Sequence, residues 1–284
     1  MKKTKENTWD KVITSNLKDN HTTIQELWDY REMVMMLIKR NFITGYKQTL
    51  LGPAWAFISP FITTVVFTFI FGNLVGLSTD GIPQFLYYFC ALIFWNYFSG
   101  CTSSISSTFV SGGGLMSKVY FPRLIIPITT VCSGFISFGI QLLLLIGFYI
   151  FYLILGANIH ITLPILLIPI YFLQLILLSL GVGSFFASIT TKYKDLSMVI
   201  GFIIQMWMYI TPIAYSSSII APKFYFLYHL NPVTNTIEWI IYSFFGVGNP
   251  SVIGLIYSIG ISILAFLIGI RFFRKSEKTF IDTI

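Results

Sequence analysis

Acid–base, nucleophilic or metal chemistry needs carboxylates, imidazoles or thiols gathered within a few ångströms of one another. Outside the amino terminus the sequence has five acidic residues: Asp80, Asp195, Glu238, Glu277 and Asp282. No two of them pair within one apolar segment, and there is no Asp-rich metal–diphosphate motif. His21, His160 and His229 stand alone, with no second ligand at helical spacing. Cys90, Cys101 and Cys132 are odd in number and sit in apolar surroundings. That is the pattern of buried free thiols, not of a disulfide framework. The run Gly269-Ile-Arg-Phe-Phe-Arg-Lys-Ser276 imitates a phosphate-binding loop. It has Arg where the second glycine is needed to let backbone N–H groups wrap a phosphate. The residues therefore assign this chain no catalytic, cofactor-binding or metal site.

Composition explains the scarcity. Of 284 residues, 55% are hydrophobic and 10% charged, with a mean hydropathy of +0.78. Soluble domains run nearer about 45–50% apolar and about 25% charged. The sequence is that of a membrane protein nearly throughout. Eighteen basic against eleven acidic residues give a net charge of +7. In such a chain the excess sets orientation in the bilayer and does not mark a nucleic-acid partner.

Charge-free runs locate the elements. Residues 48–79, 81–117, 124–191, 196–222 and 239–270 carry no formal charge. A helix crosses a bilayer in roughly 20 residues, so the 68-residue run 124–191 holds two spans. They turn at Gly156 to Pro164, which is rich in breakers. Six spans are expected, at about 52–76, 83–108, 124–155, 163–189, 197–216 and 251–271. Seventeen of the eighteen basic residues then fall on one side, Lys223 being the exception. This bias puts both termini in the cytoplasm, which requires an even number of spans. Nine basic residues precede position 48, so the amino terminus is no secretory signal sequence.

Between spans five and six, residues 219–229 and 232–245 are apolar but too short to cross. They suit re-entrant or interfacial outer helices, and Asn231-Pro232 is a helix start with Asn as N-cap and Pro at the first position. Residues 22–47 read as an amphipathic helix opened by the capping-box spacings Thr22/Gln25 and Thr23/Glu26. Ile24, Leu27, Trp28, Val34, Met35, Ile38, Phe42 and Tyr46 share its apolar face. Such a helix suits the headgroup layer. The chain thus divides into a cytoplasmic amino terminus, 1–50, and a six-span domain, 51–284. Two short loops on the basic side, 111–123 and 190–196, are too small for chemistry but have the size and charge of docking surfaces. The spans lack the ionisable residues by which secondary transporters commonly bind protons or sodium. That favours a conduit driven from outside the chain, or a passive channel.

Taken in order, several fragments resemble one family. They are Leu27-Trp-Asp-Tyr-Arg-Glu, Lys39-Arg40, Tyr46-Lys-Gln-Thr-Leu-Leu-Gly-Pro-Ala-Trp55 with Pro60, and Phe94-Trp-Asn-Tyr-Phe98. Ser117-Lys-Val-Tyr-Phe-Pro-Arg123, Lys192-Tyr-Lys-Asp-Leu196 and Asn231-Pro232 follow. Together they are similar to the membrane permease of bacterial ABC exporters for polysaccharides, of the O-antigen, capsule and teichoic-acid kind. One departure is Lys194, where Arg is common in the family and would add a planar fork.

The resemblance implies a homodimer carrying two copies of a separate ATPase, which binds the ATP and Mg. The substrate would be a glycan on a polyprenyl diphosphate, moved outward across the bacterial inner membrane. Lys118, Tyr120, Arg123, Lys192, Lys194 and Asp195 would then couple to the ATPase, and the helices at 219–229 and 232–245 would gate the outer mouth. Spans one and five would line the channel with Trp55, Phe57, Phe61, Trp207, Tyr209 and Tyr215, aromatic planes that suit sugar rings. Arg31, Lys39, Arg40 and Lys47 would meet the diphosphate or anionic headgroups. Rival readings are an ABC permease for a drug or simple lipid, a passive channel, and a membrane transferase.

Overall fold

The computed structural model describes residues 28–47, 49–111, 121–193 and 195–281, and among these residues all regular structure is helical. In hydrocarbon every backbone polar group must be satisfied within the protein, and a single long charge-free run satisfies its own as helix. Helix α1 is Arg31–Tyr46, α2 Trp55–Phe67 and α3 Gln84–Ser106. A short α4, Thr108–Ser111, precedes α5, Ile125–Ile154. Then come α6, Ile168–Thr190, and α7, Leu196–Ile210. The chain closes with α8, Tyr225–His229, α9, Pro232–Phe245, and α10, Val252–Ile281.

Four helical stretches are long and apolar enough to cross a membrane: 52–74, 125–154, 163–190 and 252–277. Helix α3 has the length but carries Tyr, Asn, Ser and Thr, and it is the buried axis against which α2, α5, α6, α7 and α9 pack. Helix α7 was expected to run from 197 to 216 and stops at Ile210. Pro212 forces Thr211 into extended backbone, ψ 143°, and ends the helix. Helix α10 was expected to end at 271 and continues to Ile281, its basic residues being good helix formers. The turn after α5 begins where expected, at Gly156 in the left-handed region.

Inside α2, Pro60 has no N–H to donate to the Ala56 carbonyl four residues back. Gln141 Nε2 of α5 donates to that carbonyl instead, at 3.4 Å. The stretch ends in a π-helix, Thr68–Leu74, where Gly72 lies so close to Gln84 that a Cβ would sit 2.1 Å from its Oε1. Helices α6 and α10 touch backbone to backbone: a Cβ on Gly269 would lie 2.0 Å from the Gly181 carbonyl oxygen.

Helix α1 runs alongside the first half of α5. Asn41 Nδ2 donates to Ser133 Oγ at 3.4 Å, and Tyr46 Oη lies 3.2 Å from Ser137 Oγ. Its buried residue is Leu37, outside the apolar face read from the sequence, whereas Met35 and Trp28 of that face are 69% exposed. The helix seats a narrow stripe on its neighbour instead of presenting one broad apolar face. The capping-box residues 22–26 lie outside the described residues. Cys90, Cys101 and Cys132 are free thiols.

The described residues form two unlike ends. The basic end holds the described ends of the two basic loops, at 111, 121–123, 190–193 and 195–196, and the last turns of α10. The acidic end holds Asp80, Glu238 and the connections around α8 and α9.

Candidate functional site

At the basic end an apolar seam positions the loops. Leu37, Phe109, Phe121, Leu124, Ile125, Ala187 and Phe273 form one buried cluster, which draws α1, α4, α5, α6 and α10 together. Of the residues expected to couple to an ATPase, Lys192 and Asp195 are exposed there. Arg123 is instead held near Glu277, with its Nε 4.0 Å from Oε1. Lys118, Tyr120 and Lys194 lie outside the described residues. On α1 and its C-cap, Arg31, Lys39, Arg40 and Lys47 are all exposed. Arg31 donates to the Trp28 carbonyl and Arg40 to Asn41 Oδ1.

The expected channel aromatics separate into two groups. Trp55 and Tyr209 are 43% and 53% exposed. Phe61 packs into an aromatic group with Phe57, Phe85 and Phe148. Trp207 meets Phe98 edge-on at 5.3 Å and donates its Nε1–H to Asn231 Oδ1 at 2.9 Å. Tyr215 turns back to donate to the Ile210 carbonyl at 3.2 Å.

The acidic end contains what the sequence did not reveal. Asn231 caps α9 as expected, its Oδ1 accepting from the Val233 N–H at 3.1 Å. The helix it starts is buried along most of its length, so Glu238, two turns from the cap, is only 7% exposed. Tyr228 of α8 donates to Glu238 Oε1 at 3.1 Å, and His229 Nδ1 lies 3.9 Å from Oε2. Asn235 Nδ2 donates to the His229 carbonyl at 2.9 Å and to Ser258 Oγ of α10 at 2.8 Å. With its NH₂ so engaged, Asn235 turns its Oδ1 to His229 Nδ1. That nitrogen must therefore carry a proton. One amide thus ties α8, α9 and α10, and Gly254 leaves room for it: a Cβ there would lie 2.7 Å from Asn235 Oδ1.

Asp80 joins from the other side. It is the one non-glycine residue at positive φ (53°) among the described residues, a region that Asp tolerates. Its carboxylate accepts from Ser216 and Ser218, so the connection before α3 is pinned to the one after α7. Asp80, Tyr87, Ser216, Ser217, Glu238 and Asn249 line one small recess. Burial raises the Glu238 pKa above the ordinary carboxylate range, opposed by the Ser217 hydrogen bond, the His229 charge and the Tyr228 hydrogen bond. Two acids and a histidine that looked isolated in sequence are thus brought into one neighbourhood. The available signal was the Asn-Pro cap; nothing local showed that its helix enters the bundle. Among the described residues no group of three or more His, Cys, Asp or Glu could hold a metal ion.

An apolar multi-helix bundle with polar connections at each end is a multi-pass membrane protein. The chain belongs to the ABC-2 type transporter family, whose sequence profile matches residues 32–245. It is a permease, and the family implies an ABC ATPase partner on a separate chain. It is 23% identical over 254 residues to the O-antigen export system permease protein RfbA of Klebsiella pneumoniae, covering 89% of this chain and 95% of that one. It is 25% identical over 199 residues to the protein of the same name in Myxococcus xanthus, covering 69% and 73%. To the inner membrane transport permease YadH of Escherichia coli K12 it is 23% identical over 219 residues, covering 74% and 83%.

Proposed function

We propose that this chain is the transmembrane subunit of an ATP-driven exporter. It moves a polyprenyl-diphosphate-linked polysaccharide, O-antigen-like, from the cytoplasmic to the outer side of the bacterial inner membrane. The observation that carries this reading is the likeness to O-antigen export permeases, which extends over nearly the whole of both chains. Low ionisable content along the long apolar helices agrees with an energy source on another subunit.

In this reading the chain crosses six times, with α3 and α7 added to the four long apolar stretches. Helix α7 is about 22 Å long at 1.5 Å per residue, so the turn-rich segment 211–216 completes its crossing. The basic end faces the cytoplasm, with both termini, and the acidic end faces out. Two copies form the conduit along α2 and α7, and each binds one ATPase through loops 111–123 and 190–196, with Lys192, Lys194 and Asp195 at the contact. Exposed Trp55 and Tyr209 offer sugar rings broad, weakly oriented contact, so that no unit of the polymer is held fast. Half-buried Trp207, Phe61 and Tyr215 set the wall behind them. Helices α8 and α9 form the outer gate, and the cations of α1 attract the lipid diphosphate.

Deletion of the gene in its host, with a tagged copy restored, tests the reading. An ABC ATPase should co-purify with the tagged chain, and extracted surface polysaccharide should vanish on deletion and return with the copy. A second reading is an ABC permease for a simple lipid or drug, with which the likeness to YadH, an inner membrane transport permease, is equally compatible. Co-purified ATPase with unchanged surface polysaccharide would decide for it.

A further inference from the structure

Arg123 stands where loop 111–123 enters α5, and it does not project outward. Its side chain is 12% exposed, and its Nη1 donates to the Glu277 carbonyl at 3.2 Å. Next to Glu277, Ser276 Oγ donates to the Ser188 carbonyl near the end of α6 at 3.4 Å. At that same end Thr190 Oγ1 donates to the Ser106 carbonyl at 2.7 Å. Ser106 ends α3, from which loop 111–123 departs; Thr190 ends α6, from which loop 190–196 departs. Phe273, one turn before Glu277, is fully buried and lies against Phe109 of α4 at 4.8 Å. The contacts close a ring through the roots of both loops, and the last turns of α10 are the piece common to them.

We infer that the end of α10 is a strut that holds the two basic-end loops in one register, with Glu277 as the positioning residue and Arg123 acting through it. The inference rests on the reading of these loops as the ATPase docking surface, and it gives Arg123 a different part from the one expected: Arg123 sets where the root of the loop stands, and the neighbouring loop residues meet the ATPase. The strut cannot yield sideways, because α10 is seated backbone to backbone on α6 at Gly269 and Gly181. A push on one loop therefore reaches the other through a rigid element, so both ends of the docking surface respond together.

A charge swap separates positioning from docking. The variants R123E, E277R and the double R123E/E277R are expressed with the ATPase in cells lacking the native gene. Membrane abundance, ATPase co-purification, ATP hydrolysis and extracted surface polysaccharide are then measured. Each single variant should lower polysaccharide exported per ATP by about fivefold, with the ATPase still bound, and the double should return to within about twofold of the unaltered chain. A double variant as impaired as R123E would overturn the inference, since a docking arginine is not restored by a change at Glu277. If R123E fails to accumulate, R123Q and E277Q serve instead. Losses in their double no greater than in either single support the strut, and additive losses contradict it. Failure of any ATPase to co-purify with the unaltered chain would be a different result, overturning the export reading and the strut with it.

Discussion

At the acidic end, Asn231, Asn235, Glu238 and Thr211 are buried and bond to one another or to neighbours across α7, α8, α9 and α10. At the basic end the buried seam is apolar, centred on Phe109, Phe121 and Phe273, while Lys192 and Asp195 stand in the open. Hydrogen bonds are directional, and a buried donor that loses its partner has no water to replace it. The acidic end is thus fixed in register and holds its short helices in one arrangement. Apolar contact is non-directional and tolerates small slides. The basic end, tied at the loop roots by the Thr190–Ser106 and Ser276–Ser188 bonds, can therefore answer a partner's push as one piece while staying closed to water. The outer gate and the coupling surface proposed above make these opposite demands.

The largest effect is expected at Asn235. Asn235→Ala removes the bonds that tie α8, α9 and α10 and strands Ser258 and the His229 carbonyl; it should cost about 3 kcal/mol. Thermal unfolding of the detergent-solubilised chain, followed by size-exclusion fluorescence, measures it. A loss indistinguishable from that of a surface substitution would break the contrast between the ends.

Next comes a split within the aromatics. Trp207→Ala deletes a half-buried ring and leaves Asn231 short of one bond, for an expected loss of about 2 kcal/mol. Tyr209→Ala and Trp55→Ala, at exposed sites, should change stability by less than about 0.5 kcal/mol. They should lower polysaccharide export with ATP hydrolysis retained. Unchanged export in both would leave these rings as membrane anchors and end the sliding-surface proposal.

Glu238 gives a smaller, pH-dependent signal. A carboxyl whose pKa is raised in the fold holds its proton more tightly there than in the unfolded chain. Its stability contribution is full below the ordinary carboxylate range and drains away as pH rises through the raised value. His229, Tyr228 and Ser217 face the carboxyl, and Asp80 and Tyr87 share its recess. Glu238→Gln keeps the neutral form at every pH, so its unfolding temperature should fall less than that of the unaltered chain between mildly acidic and neutral pH. Parallel curves would show that Glu238 does not titrate in this range.

A small stability change is also expected at the basic end. Lys192→Glu with Asp195→Lys alters exposed charges worth less than about 1 kcal/mol to the fold. Export should nonetheless drop by about tenfold as docking attraction becomes repulsion. Unfolding temperature and export, measured on the same preparations, show whether the two separate.

Much of the helical layout was legible because charge-free length and breakers are local properties. Gly156, Pro164 and Asn231-Pro232 mark their turns in sequence and in structure alike. The end of α7 was misplaced because apolarity continues past Pro212, although backbone sterics do not allow the helix to. Helix α10 outruns its apolar run because hydropathy reports the bilayer, not the helix. The seating of α1 on Leu37 in place of Met35 depends on the neighbouring α5, which no periodicity within α1 records. The gathering of Asp80, His229 and Glu238 was not legible at all. It arises from long-range packing that folds α9 against α3, α6 and α10.

The central claim is that ATP bound by a partner drives a lipid-linked glycan through this chain. Proteoliposomes holding the permease with its ATPase, loaded with a fluorescent polyprenyl-diphosphate oligosaccharide, test it directly. The ATPase faces the bath, and glycan on the bath side is digested by an added glycosidase. The account predicts that ATP, and not a non-hydrolysable analogue, carries glycan into the lumen, where the enzyme cannot reach it, and that permease-free vesicles show no such protection. Protection that develops equally without ATP, or none with ATP despite a bound and hydrolysing ATPase, would contradict it.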